Sequence, residues 1–444
     1  MHSKYIHYSN LSGRLDPLYY LSDLTIFTNR QITASIGELC ISIYSGFAAG
    51  KETQVKKENG YIQIRPTNIM SDGRLSLEKN IYVPQNRNYD FIPHKAVLFN
   101  NTNSQELVGK SALLDLPFEG EYYCSNHITV IIPNQARLMP EYLWIMLNLY
   151  QRHNIFYSIC TNWNNQSGVN VNLLKSIRIP IFSKDANVSL DYQRKIVTVW
   201  LEALSVEQTK EQEAKDLLNS IDDYLLSELG IERPSPIRTE NGRLFYTSFH
   251  NLMGSEWAPL CIKNNGKRSK STLYKEVKLS TIATIAKGQA ITSKEIVNGN
   301  YPVIAGGQSS PYSHNQYNYK GNIITISASG AYSGYVWYHN YPIFASDCSV
   351  ILSNDENVYL TKYIYEILRL RQQEIYLLQK GAGQPHVYPS DIANLTIPAI
   401  PLEKQQDIVA YCQELRNKAE LLQKEGRDII STAKDAIEQM IIGN

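Results

Sequence analysis

The chain lacks the features that mark secreted proteins, membrane proteins and most enzymes. Its 444 residues include six cysteines (Cys40, Cys124, Cys160, Cys261, Cys348, Cys412). None forms a CxxC pair or has a histidine at metal-ligand spacing, which excludes a zinc ribbon and a disulfide framework. Four of the six lie among apolar residues in predicted strands or helices and read as reduced, buried thiols, so a cytoplasmic location is expected. No apolar run approaches the length of a membrane span, and no hydrophobic stretch of signal-peptide type follows Met1-His2-Ser3-Lys4. Catalytic signatures are missing too. There is no GxxxxGK[ST] loop, no GxGxxG opening a helix after a strand, and no HExxH. There is also no Asn/Asp-Pro-Pro-aromatic tetrapeptide, so the usual amino-methyltransferase site is absent. Cys124 and His127 are close in sequence, but a Cys–His nucleophile needs a third orienting group and an open site. Cys124 reads instead as a core residue of a strand.

What the chain has is a repetition of itself. From Gly13-Arg14-Leu15 to Gly230 it presents a strand-rich segment ending in a long helix, and from Gly242-Arg243-Leu244 to Gly443 the same order returns. Gln166-Ser167-Gly168-Val169, Ile179-Pro180, Gln193 and Ile196-Val197 match Gln384-Pro385-His386-Val387, Ile397-Pro398, Gln405 and Ile408-Val409. Upstream, Glu141-Tyr142-Leu143-Trp144 matches Lys362-Tyr363-Ile364-Tyr365. A period this long is domain-sized, far beyond a solenoid unit of roughly 20–50 residues. Two related surfaces fit a target that also has two parts.

Short runs such as Tyr61–Ile64, Ala96–Phe99, Ile128–Ile132, Tyr301–Ile304, Ile323–Ile326 and Ser349–Leu352 read as strands bounded by turn residues. Helices are predicted at Pro140–Arg152 and Thr361–Gln379. The fold class is α+β with mixed or antiparallel sheet. The expected organisation is a domain at 1–185, a long helix at 186–231, a second domain at 232–401 and a second long helix at 402–444. Formal charge is only +1, but it is unevenly spread. Residues 1–185 hold 17 basic against 14 acidic side chains and residues 232–401 hold 16 against 11. The helical segments reverse this, with 4 against 9 and 6 against 8. Nucleic acid would be drawn to the domains and repelled by the helices.

In the last segment Ile408, Leu415, Leu422, Ile429 and Ala436 recur by sevens, and Cys412, Ala419, Gly426, Ala433 and Met440 form a second, mostly small series. This is a two-position heptad, and the small residues suit a helix packing close by. The earlier segment has Val197, Leu204, Leu218 and Leu225 in one series and Trp200, Ala214 and Ile221 in the other, interrupted by Glu207 and Glu211. Each helix is expected to span some 35 residues, roughly 50 Å, and the duplication implies that the two pair antiparallel.

Polar residues cluster where loops are expected. In the second domain these are Lys287, Gln289 and Lys294, then Gln308, Ser309 and Tyr312, then Ser329 and Tyr332, and finally Gln384 and His386. In the first they are Lys51 and Thr53, Arg65 and Asn68, Asn101 and Asn103, and Asn164 and Gln166. Amides and cations at Gly-bearing turns suit phosphates and base edges. The scaffold matches between copies while the loops differ, which suggests two different ligands of one kind.

This pattern resembles the specificity (S) subunit of type I restriction-modification systems. Residues 381–409 carry the likeness most clearly (Gly381-Ala382-Gly383-Gln384, Ile397-Pro398, Pro401-Leu402-Glu403-Lys404-Gln405). Tyr301–Gly307 and Ile324–Gly330 also resemble the family's target-recognition domains. The resemblance implies a non-catalytic subunit in which each domain reads one half of a split double-stranded DNA target. It further implies paired helices that fix the spacer and dock two methyltransferase subunits, with a motor-nuclease subunit joining for cleavage. No cofactor is expected on this chain; S-adenosylmethionine belongs to the methyltransferase. The rival reading is a coiled-coil scaffold whose domains bind proteins or glycans.

Overall fold

The computed structural model describes residues 19–20, 24–29, 31–115, 121–164, 166–232, 269–381 and 383–443. The Gly-Arg-Leu pair at 13–15 and 242–244, Cys261 and Ala382 lie outside the described residues. The chain divides into two compact units, Met1–Thr209 with Glu425–Asn444, and Lys210–Lys424.

In the first unit, β1 (Cys40–Ser45), β2 (Tyr61–Ile64), β3 (Ile81–Val83), β4 (Val97–Asn100), β5 (Ser111–Leu113), β6 (Tyr122–Cys124) and β7 (Ile128–Pro133) form two sheets. One is antiparallel in the order β1-β7-β4-β5. The other runs β3-β2-β6, with β2 and β6 parallel. In the second unit the strands are β8 (Ala283–Lys287), β9 (Tyr301–Ile304), β10 (Ser313–His314), β11 (Ile323–Ser327), β12 (Val336–His339), β13 (Phe344–Ala345) and β14 (Cys348–Ser353). They repeat both orders, β8-β14-β11-β12 and β10-β9-β13, with β9 and β13 parallel.

Strand alternation divides each unit's interior into two cores. Along β4, Val97 and Phe99 face a cluster with helix α1 (Pro140–Arg152), whereas Leu98 faces Ile64, Ile128 and Val130 between the sheets. Along β11, Ile324 and Ile326 join a cluster with helix α3 (Thr361–Leu370), whereas Ile323 joins Ile304 and Val350. A central strand buried on both faces reads as a near-continuous apolar run, as Val97–Phe99 does; in β11 only Thr325 breaks the run Ile323–Ile326. Each such side chain contributes about 1.5–3 kcal/mol by leaving water. The helix predicted at Thr361–Gln379 is broken at Arg371 before a short segment at Gln372–Tyr376. Arg371 is buried there, donating to Glu276 at 2.8 Å. α1 ends at a similar break, where Asn154 takes a left-handed φ of 57°.

The repeated polar residues are framework. Tyr142 donates its hydroxyl to Pro180 O (3.0 Å) and Tyr363 donates to Pro398 O (2.8 Å), so each domain helix is tied to an Ile-Pro strand. Gln193 accepts from Met139 N and Gln405 accepts from Leu360 N, both at 2.9 Å, capping the starts of α1 and α3. Both glutamines are fully buried.

The long helices are α2 (Ala186–Leu229, 44 residues) and α4 (Leu402–Ile442, 41 residues), longer than the expected 35. Asp185 caps α2 by accepting from Asn187 N and Val188 N, which adds the first turns. The helices pack on each other antiparallel. In the first unit Lys434 lies over the Trp200 ring (5.8 Å), and a side chain on Gly426 would meet Glu207 Cγ at 3.3 Å. In the second unit Tyr224 meets Tyr411 (4.3 Å between centroids) and Glu228 meets Lys404 (3.1 Å).

The seam of α2 differs from the expected one. Ile196, Trp200, Ala203, Glu207, Ala214, Ile221 and Leu225 are buried along it. Leu218 is 40% exposed and stands off it, while Leu217 packs against the core. Glu207, read as an interruption, is buried in the seam because Arg74 reaches it at 3.2 Å. Val197 is buried and Leu204 partly so. On α4, Ile408 and Leu415 are buried, and Leu422 and Ile429 are half-buried. Ala436 is exposed because the stripe moves on to Ile437.

Candidate nucleic-acid interface

In the second unit, strand ends and loops converge on Ser346-Asp347, between β13 and β14. Gly288 N donates to Cys348 O (2.8 Å) and Gln289 N to Ala345 O (2.9 Å), bringing in the turn after β8. Ser346 N donates to Ile304 O (2.8 Å), at the end of β9. Ala328 N donates to Asp347 O (3.1 Å), and the Ser329 hydroxyl donates to the Asp347 carboxylate, bringing in the loop after β11. Gly330 N donates to Pro385 O (3.1 Å), and Ser329 pairs with His386. Close approach dictates glycine here: a Cβ on Gly288 would lie 2.1 Å from Ser346 O, and one on Gly306 would lie 2.4 Å from Ser329 O.

The first unit builds the same junction on Ser125-Asn126. Phe47 N donates to Cys124 O (3.2 Å), Ser125 N to Ile64 O (2.9 Å) and Asn126 N to Phe47 O (3.2 Å). Asn101 N donates to His127 O (3.0 Å), and Val169 N donates to Asn101 O (2.9 Å). Cys124 is buried here, and burial pushes its thiol up to about 12, so it is no nucleophile at neutral pH.

The residues singled out from sequence separate into two groups. Asn68 and Asn101 are 3% and 8% exposed. Asn68 donates to Ser76 O (2.9 Å) and Lys79 O (3.2 Å), and Asn101 donates to Thr129 Oγ1 (2.9 Å) and Asn126 O (3.2 Å). Their amides are spent on the framework, which removes both from direct base contact. Arg65 is half-buried, its guanidinium donating to Gln63 Oε1 (2.9 Å) and Ala49 O (2.8 Å). Thr53 donates its hydroxyl to Gly50 O within its own turn (3.0 Å), and Asn103 Oδ1 accepts from Ser104 N (2.8 Å). Ser329 is held by Asp347. Lys51, Asn164, Gln166, Lys287, Gln289, Lys294, Gln308, Ser309, Tyr312, Tyr332 and Gln384 are exposed, and His386 is half-buried. Lys287, Gln289, Ser329, Gln384 and His386 are on segments tied to the junction; Lys294, Gln308, Ser309, Tyr312 and Tyr332 stand on the loops around it. Asn126 and Asp347 were missed. The signal was present, since pairing Cys124 with Ala345 and reading two residues further aligns them.

Two α+β units that repeat the same strand orders, each with polar loops converging on one junction and each followed by a long helix, make up the described chain. Residues 272–429 match the type I restriction modification DNA specificity domain. The chain is 22% identical over 433 residues to the MjaX type I restriction enzyme specificity subunit of Methanocaldococcus jannaschii, covering 88% of each. Among solved structures, it is similar to a chain from a study of complex assembly and conformational transition in the type I R-M system. There the TM-score is 0.51 at 16% identity, over 92% of this chain and 96% of that one. It also aligns with the S subunit from M. genitalium (TM-score 0.46, 14% identity, 93% and 97% covered). Over most of its length the chain is thus similar to a type I restriction enzyme specificity subunit, and residues 272–429 carry the match to the DNA specificity domain.

Proposed function

We propose that each unit reads one half of a bipartite double-stranded DNA target, and that the α2–α4 pair sets the spacer and docks two methyltransferase subunits. The observation that carries this is the repetition of one loop junction on two copies of one scaffold, Ser125-Asn126 and Ser346-Asp347, with different residues around each. Lys51, Asn164 and Gln166 in the first unit, and Lys287, Gln289, Gln308 and Gln384 in the second, are exposed donors and cations suited to phosphates and base edges. Docking of two like subunits is supported by two equivalently placed cavities, where each domain helix meets both long helices. One, of about 240 Å³, is lined by Trp144, Arg152, Trp200 and Lys434. The other, of about 480 Å³, is lined by Leu218, Tyr365, Arg369 and Arg416. Exposed Leu201, Val206 and Leu421 on the long helices add apolar surface for a partner. Binding of S-adenosylmethionine and adenine methylation fall to the methyltransferase, and cleavage to a motor-nuclease subunit.

The test is to co-express the chain with its methyltransferase in a host lacking other adenine methylation and to map methylated adenines across the genome. A split motif with a fixed spacer is the expected result. A complex that forms and leaves no methylated motif would make the chain a scaffold and end the reading.

A further inference from the structure

Asp347 carries a carboxylate where a DNA-facing surface should not tolerate one. The segments around it, 286–294, 305–312, 327–335 and 380–386, contain Lys287, Lys294 and Lys380 and no Asp or Glu. Asp347 is exposed at the point where they meet, and among the described residues no cation pairs with it. One carboxylate oxygen, Oδ2, accepts from the Ser329 hydroxyl. Gly306 keeps the space beside it clear, since a Cβ there would crowd that oxygen at 3.3 Å. The carboxylate is therefore held in place, with Oδ1 left to a ligand.

Phosphates repel a carboxylate, so an acid at the centre of a DNA-binding surface is favourable only against a hydrogen-bond donor. In the major groove the exposed donors are the exocyclic amines of cytosine and adenine. Adenine presents its acceptor N7 beside the amine, which would face the same carboxylate. On its own ring, cytosine N4 has only the C5–H beside it on that edge. We propose that Asp347 is a specificity-determining residue whose Oδ1 accepts from N4 of a cytosine in the half-site read by the second unit. Ser329 is its positioning residue. This rests on the proposed bipartite reading. In the first unit the same place holds Asn126, an amide that both donates and accepts, so the two half-sites are read differently at equivalent positions.

The experiment compares the methylated motifs of complexes carrying the natural chain, Asp347→Asn and Ser329→Ala. Asp347→Asn keeps the side-chain shape and an acceptor for Ser329. Expected are a cytosine in the second unit's half-site of the natural motif and, in Asp347→Asn, a fall in its preference on the order of tenfold. The other half-site and the spacer stay unchanged, which shows that the variant folds and assembles. Ser329→Ala should weaken the same preference by less. An unchanged motif in Asp347→Asn, a second half-site without a cytosine, or a loss spread evenly over all positions would overturn the assignment. Absence of any split motif with the natural chain would instead remove the bipartite reading beneath it.

Discussion

Tyr142 and Tyr363 each send a hydroxyl to a proline carbonyl, and Gln193 and Gln405 each cap a domain helix from the long helix that follows. These polar residues recur because a buried backbone group without a partner costs about 1–3 kcal/mol, whereas one apolar side chain readily replaces another. His339 has no such counterpart. It is fully buried in β12, bonded through Nε2 to Thr325 Oγ1 (2.8 Å), and burial lowers its pKa from 6.5 to about 4. The unfolded chain therefore binds a proton that the folded one refuses. Stability from this site is complete above pH 6.5 and falls as pH drops towards 4. Thermal unfolding of His339→Gln followed from pH 7 to pH 4 should show a shallower loss than the natural chain, and parallel curves would refute the assignment.

At the scale of elements, the long helices show how far a heptad reading goes. The stripe Trp200, Ala214, Ile221 was legible, and so were Cys412, Ala419, Gly426 and Ala433 of the small-residue series that runs on to Met440. Leu218 was misplaced by one position: it is 40% exposed, and its neighbour Leu217 packs against the core instead. Glu207 looked like a break because its partner Arg74 lies in a loop far away in sequence. If the helices set the spacer, adding one heptad to each at matched points lengthens the pair by about 10 Å. With base pairs stacked about 3.4 Å apart, the methylated motif should gain about three spacer base pairs and keep both half-sites. An unchanged spacer would sink the ruler.

At the scale of the molecule, two units with the same strand orders carry different loops. Replacing segments 288–300, 305–312 and 328–335 of the second unit with those of a relative should change one half-site in the methylation map. A change in both would mean that the units do not read independently. The junctions themselves explain why the loops can vary. They hang from backbone bonds such as Gly288 N to Cys348 O and Ser346 N to Ile304 O, which do not depend on the side chains displayed.

The duplication, the α+β class, the two long helices and the absence of catalytic motifs were determined by sequence alone, because period, apolar patterning and motif spacing are local properties. Which polar side chains are free was decided only in three dimensions. Asn68 and Asn101 look like readers until their amides are seen bound to carbonyls and a hydroxyl across the fold, and Asp347 is singled out only when four segments close around it. Hydrogen-bond partners distant in sequence leave no periodic trace, so whether a donor or acceptor is occupied or available is a property of the tertiary structure.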